Sequence, residues 1–247
     1  MRRDRAARIG PELFLAERVF ADCVERIALT GRRFDRALLI GCPDPSWPER
    51  LRSAAAEVDV RDPGPLFASA AGGELICEDR WEARADRYDL VLAVGTLDTV
   101  NELPVGLRLV RRAVRANGLF AGVLAGGDTL PQLRRAMLAA DALAGGAAPH
   151  VHPRIEASAL APLLETAGFA RPVVDVERVN LSYRSFGKLI ADLRAMAATN
   201  ILLDRPRPLT RGQSAAAAAA FMEAGEGERT IETFELLHFA AWTPAHG

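Results

Sequence analysis

Cysteine is scarce in this chain of 247 residues, which has only Cys23, Cys42 and Cys77. Their odd number, wide spacing and lack of a CxxC pair exclude a disulfide framework or a zinc knuckle, and a reducing, cytoplasmic setting is expected. Excess charge of either sign is also missing. Thirty-one Lys+Arg against 32 Asp+Glu leave a formal charge of −1, so no overall field gathers a polyanion and nucleic acid is not an expected partner. No apolar run approaches the roughly 20 residues that a bilayer-spanning helix needs, so no integral membrane segment is expected. The basic start MRRDRAARIG has no apolar run behind it and carries Asp4, which makes it a solvated arm rather than a signal or transit peptide. Neither a G-x-S-x-G elbow nor a repeat at solenoid period occurs. Histidines number four, and two of them, His150 and His152, flank Val151 in a Pro-bounded segment. No carboxylate or cysteine stands at a spacing that completes a ligand set, so loop hydrogen bonding or substrate contact is preferred to a metal pair.

What is present is an alternation of apolar runs. Helical spacing of Leu13, Phe14, Val19, Phe20, Val24 and Ile27 predicts an amphipathic helix over 11–29, ahead of the main fold. Short, uniformly apolar runs at 37–40 and 88–94, each closed by glycine (Gly41 and Gly95), have the character of parallel strands buried on both faces. Further strands are expected at 57–61, 74–77, 119–124, 173–179 and 232–242. Helices are expected at 46–56, opened by a Ser46/Glu49 capping box, at 105–116, closed by Asn117-Gly118, and at 129–142, 157–167 and 183–196. The alanine run 215–220 suits a plain surface helix, since alanine has the best helix propensity. Strands alternating with helices give an α/β doubly wound parallel sheet, with 173–179 and 232–242 as an antiparallel pair. One domain is expected over 35–247, preceded by an arm and helix over 1–34.

In such a sheet, ligands bind at the carboxyl ends of the strands where the strand order reverses. Three stretches fall there. Gly41-Cys42-Pro43-Asp44-Pro45 follows the first strand, where a cofactor needs close backbone approach and free N–H groups. Two prolines remove two donors, so a simple strand-to-helix turn stands beside the cofactor reading. Asp62 ends the second strand about 20 residues later, where a carboxylate accepts both ribose hydroxyls. Asp59 is its competitor, and a turn-forming Asp before Pro63 is the other reading. Gly95-Thr96-Leu97-Asp98 follows the best strand and suits the wall of an adenine site.

Several phrases carry a resemblance. They are Gly126-Gly127-Asp128-Thr129-Leu130 with Leu133-Arg134, Pro149-His150 with Pro153, Ala167-Gly168-Phe169, Val174-Asp175, Tyr183, and Asp192-Leu193-Arg194 with Met196 and Asn200. Together with the element order, they make the chain resemble the class I S-adenosylmethionine-dependent methyltransferase-like family, and in particular the methyltransferase-like assembly factors of respiratory complex I. The malonyl-carrier-protein O-methyltransferases are more distant kin. The first half departs from the pattern. The family's Asp-Leu-Gly-Cys-Gly-x-Gly appears as Leu39-Ile40-Gly41-Cys42-Pro43-Asp44-Pro45, and its Leu-His-Trp-Val-Asn-Asp-Leu-Pro as Leu97-Asp98-Thr99-Val100-Asn101-Glu102-Leu103-Pro104.

The resemblance implies a Rossmann-like class I methyltransferase sheet with an N-terminal helix, substrate-side insertions at 126–170 and 180–230, and S-adenosyl-L-methionine as cofactor. It places Gly41, Asp62, Gly95 and Leu97 on the cofactor side. Asp128, Arg134, His150, Tyr183 and Asn200 fall on the substrate side, where they are expected to line one cleft. It implies methyl transfer to a protein substrate, a subunit of a respiratory complex, by in-line displacement at the sulfonium, with no catalytic base named. A silent assembly or scaffold protein that has lost cofactor binding is the alternative, and the altered Gly41–Pro45 turn favours it.

Overall fold

A computed structural model describes residues 2–203 and 207–245. Its seven strands, β1 (Phe34–Ile40), β2 (Ala55–Asp62), β3 (Glu74–Leu75), β4 (Tyr88–Val94), β5 (Val114–Ala125), β6 (Ala170–Tyr183) and β7 (Thr230–Trp242), form one sheet in the order β3-β2-β1-β4-β5-β7-β6. The first five are parallel, and β7 is antiparallel to both β5 and β6. Strand order reverses between β1 and β4, so the crevice of a doubly wound sheet opens at the carboxyl ends of these two. This is the expected α/β architecture, with the C-terminal antiparallel pair in place.

Both faces of the central strands are apolar because both are covered. On one face, Leu38, Val91 and Phe120 pack beneath α5 (Leu103–Ala113) and α7 (Ala157–Thr166) through Leu107, Val110, Leu160 and Leu164. On the other, Leu39, Leu90 and Leu92 meet Val19, Phe20, Cys23 and Ile27 of α2 (Phe14–Leu29). Phe20 stacks on Trp47 at the start of α3 (Trp47–Leu51), with centroids 4.2 Å apart and rings 4° from parallel. Each such side chain contributes roughly 1.5–3 kcal/mol by leaving water. A third apolar cluster lies beyond the sheet, where α6 (Pro131–Ala142), α8 (Phe186–Ala195) and α9 (Arg211–Glu223) enclose Phe221, Leu193 and Phe234.

Several elements differ from expectation. The helix expected over 105–116 ends at Ala113, and Asn117-Gly118 is no helix cap: Asn117, at φ +56, sits inside β5. Val114 already pairs with Tyr88, and the register then slips before Leu90 meets Leu119, so the two residues form an irregularity that Gly118 tolerates. Helix α3 is short, and Ser46 makes no side-chain cap; Asp44 instead accepts the Ser46 N–H at 2.8 Å. The alanine run belongs to α9, which carries a Thr210/Gln213 capping box and buries Ala217 and Phe221 rather than lying plainly on the surface. Helix α4 (Pro65–Ala70) was not foreseen, and the strand expected at 74–77 is only two residues long. Most consequential is the start of the chain. Residues expected to form a solvated arm fold as α1 (Arg2–Ile9), with Arg3 and Ala6 buried.

Candidate cofactor crevice

Gly41 turns the chain out of β1 at φ +85, and a Cβ there would stand 2.4 Å from the Val94 carbonyl oxygen and 2.6 Å from Thr96 Cγ2. Only glycine lets the β1 turn lie this close to the end of β4. One strand over, β2 ends at Asp62, which is fully buried. Its Oδ1 accepts Arg3 Nε at 2.7 Å and the Gly64 N–H at 2.7 Å, while Oδ2 accepts the Cys42 N–H at 2.7 Å and a second guanidinium nitrogen of Arg3. A carboxylate offers about four lone-pair positions, and these four donors fill them. The guanidinium meets the carboxylate as a two-pronged fork, the strong geometry for this pair.

Helix α1 is held by more than this contact. Arg3 lies 5.0 Å above the Phe67 ring, and Ala6 packs with Phe67 and Ala197. Arg2 donates to the Thr199 carbonyl at 3.3 Å and to Thr99 Oγ1. Behind the helix, a cavity of about 120 Å³ remains at the switch point, lined by Ala6, Val94, Gly95, Asp98, Val123 and Arg154, among others. Asp98 and Arg154 form an ion pair across it; the Arg154 side chain is 3% exposed, yet its Nε has no hydrogen-bond partner. Burial raises the Glu78 carboxyl above its usual value and lowers the Arg2 guanidinium, as expected for charges gathered away from water.

No protein-family model matches the chain. Among curated proteins, it is 28% identical over 242 residues to the arginine-hydroxylase NDUFAF5, mitochondrial, of Danio rerio, covering 94% of this chain and 75% of that one. It is 34% identical over 190 residues to the malonyl-acyl-carrier-protein O-methyltransferase of Laribacter hongkongensis, covering 73% and 59%. Among solved structures, the YcgJ protein of a Bacillus matches with a TM-score of 0.59 at 10% identity, over 92% of this chain and all of that one. The fold is that of the class I methyltransferases.

Within the methyltransferase-like crevice, the residues expected on the cofactor side divide. Gly41, Asp62 and Gly95 stand at the carboxyl ends of β1, β2 and β4, and Gly95 keeps an open surface at φ +61. Leu97 does not face the crevice. It is buried in the apolar cluster under α5, because the turn after β4 sends its side chain inward. Asp59, the competitor of Asp62, sits mid-strand rather than at the strand end and is engaged by Arg36 at 3.0 Å and by the Tyr88 hydroxyl at 2.9 Å.

The five residues expected to share a substrate cleft are not gathered into one. Tyr183 belongs to the apolar cluster of α6, α8 and α9, where burial pushes its phenol up. Asp128 is exposed and meets Arg178 at 3.1 Å. Arg134, on the first turn of α6, closes its own loop by donating to the Gly127 carbonyl at 2.8 Å. His150 Nε2 lies 2.7 Å from Asp141 Oδ1. Asn200 donates to the Pro149 carbonyl and lines a second, polar cavity beside Arg2, Arg5 and Glu78. Four of the five are thus engaged by other protein groups in four different places, which leaves them no common cleft to face. The sequence reading missed Arg2, Arg3, Asp98 and Arg154. No periodic pattern in the N-terminal segment marks the face that docks. No metal-binding group of three or more ligands occurs among the described residues, and no helix there is long and apolar enough to cross a membrane.

Proposed function

We propose that this methyltransferase-like protein acts in the cytoplasm on a protein subunit of a respiratory NADH–quinone oxidoreductase during its assembly, and that its crevice takes S-adenosylmethionine. The observation that carries the cofactor part is Asp62: a fully buried carboxylate at the end of β2, beside the β1–β4 switch point, is where a ribose diol is held in this fold. The assembly part rests on the resemblance to the assembly factors of respiratory complex I, and the similarity to NDUFAF5 is in keeping with it. Their named activity, arginine hydroxylation, stays with them. With α1 docked, the residues do not fit the cofactor, since every acceptor position of Asp62 is filled from within the chain, and no methyl-transfer step is derived.

That same occupancy, with Pro43 and Pro45 in the β1 turn, favours a second reading, an assembly factor that works by binding alone. One experiment addresses both. Deleting the coding sequence in its host should abolish assembled, active NADH–quinone oxidoreductase, and the wild-type chain should restore it. Under the first reading, an Asp62→Asn chain that accumulates to the wild-type level fails to restore assembly; under the second it succeeds. Normal assembly in the deletion strain would contradict both.

A further inference from the structure

We infer that α1 is a displaceable ligand carried by the chain itself: Arg3 holds the place of a nucleoside ribose on Asp62, and the helix must undock before S-adenosylmethionine or S-adenosylhomocysteine can bind. This rests on the cofactor reading above. Three observations point to it. Arg3 reaches Asp62 across 59 residues of sequence and supplies two of the four donors on a carboxylate whose other two are backbone N–H groups of its own neighbourhood. The helix is therefore the replaceable half of that shell. Second, its docking leaves the crevice incompletely matched, since Arg154 Nε, buried in the lining, has no partner. A buried donor left unpaired is costly, and another occupant with an acceptor would satisfy it.

The third observation is charge. With α1 in place, Arg2, Arg3, Arg5 and Arg154 stand among Glu12, Asp62, Asp98 and Glu78. When the helix leaves, three of the four guanidinium groups go with it, and one remains among four carboxyls. A crevice with that surplus attracts a cationic sulfonium and repels a free phosphate. The apolar part of the seat is small. Apart from Arg3, α1 buries one side chain, Ala6, with Ala7 half-buried beside it, and Gly64 lets it approach, because a Cβ there would stand 2.7 Å from Arg3 Cβ.

Two variants loosen the helix while keeping both partners of the ion pair; Ala6→Asp is the cleaner, since a Cβ at Gly64 stands 3.1 Å from Asp62 Oδ1 as well as close to the Arg3 stem. Ala6→Asp places a charge in the seat, and Gly64→Ala, at an ordinary extended φ of −101, pushes the Arg3 stem away. In the full-length chain, S-adenosylhomocysteine is titrated by calorimetry, and amide exchange over residues 2–9 is followed by mass spectrometry. Both variants should exchange faster over 2–9 and bind S-adenosylhomocysteine at least tenfold more tightly than the wild type, while Ala6→Ser matches the wild type. If Ala6→Asp fails to fold, Gly64→Ala carries the test. Equal binding by the wild type and the loosened variants would overturn the competition and leave the cofactor reading standing. No binding by any chain, with 2–9 shown to be free, would overturn both.

Discussion

Two fully buried carboxylates, Asp62 and Glu232, show how differently the two halves of this molecule use the same chemistry. Glu232, on β7, accepts the N–H groups of Gln132 at 3.2 Å and Leu133 at 2.8 Å in the first turn of α6, and of Thr233 at 3.0 Å. It replaces the N-cap that the sequence does not provide, because Leu130 in the cap position has no side-chain acceptor and sits at φ +65. All three donors belong to the frame of the fold and have nowhere to go. Asp62 shares its acceptors between two such frame donors and one side chain from a helix at the chain terminus. A carboxylate bonded only to backbone is structural; one bonded to a removable side chain is available for exchange.

The contrast can be tested by removing groups from each half. The largest effect is expected in the helical layer: Phe221→Ala, opening a cavity where Phe221 is fully buried against α6 and Phe186, should cost about 3–5 kcal/mol and lower the melting temperature sharply. Glu232→Ala should cost about 2 kcal/mol by leaving the α6 amides unpaired, with amide exchange over 2–9 unchanged. Asp62→Asn tests the other half. Breaking a buried ion pair in a rigid setting costs about 3–5 kcal/mol. Here the loss should be smaller, about 1–2 kcal/mol, because α1 can undock and return Arg3 to water; thermal melts, with exchange over 2–9 accelerated, check it. A full rigid-site loss with α1 still protected would erase the distinction.

The smallest effect concerns pH. Burial raises the Asp141 carboxyl, but hydrogen bonds from His150 and the Ala148 N–H outweigh it and hold the group below its ordinary value of 3.8. The folded state thus favours the ionised form. Its contribution is fully present above the ordinary value and is lost as pH falls through the lowered one. Asp141→Asn should flatten the acid limb of a pH–stability curve and leave the curve above pH 5 parallel to the wild type. An acid limb of unchanged steepness would show that the pair contributes nothing.

How far the molecule was legible in its sequence follows the same divide. Strand β4 matches its apolar run residue for residue, and β1 was located from a short run closed by Gly41, because burial on both faces leaves an unbroken apolar signature. Strand β2, only partly buried and carrying Glu57, Asp59 and Arg61, was located by its alternation with Val58 and Val60 and by the turn after Asp62. The irregularity at Asn117-Gly118 was read as a helix stop, since a left-handed residue followed by glycine looks the same at a helix end and within a bulged strand. The substrate cleft was not legible. Resemblance marked Tyr183 and Arg134, but packing, which decides where such side chains point, depends on α8 and α9 folding back over α6. Arg3 was invisible for another reason: a lone arginine pairing across 59 residues leaves no periodic trace.

The most direct measurement is amide exchange of the wild-type chain as S-adenosylhomocysteine is added. The account predicts that exchange over residues 2–9 accelerates with ligand while the segment from Asp62 to Phe67 stays protected, because nucleoside and helix exclude each other at one carboxylate. Saturable binding that leaves 2–9 as protected as before, or protects it further, would contradict it.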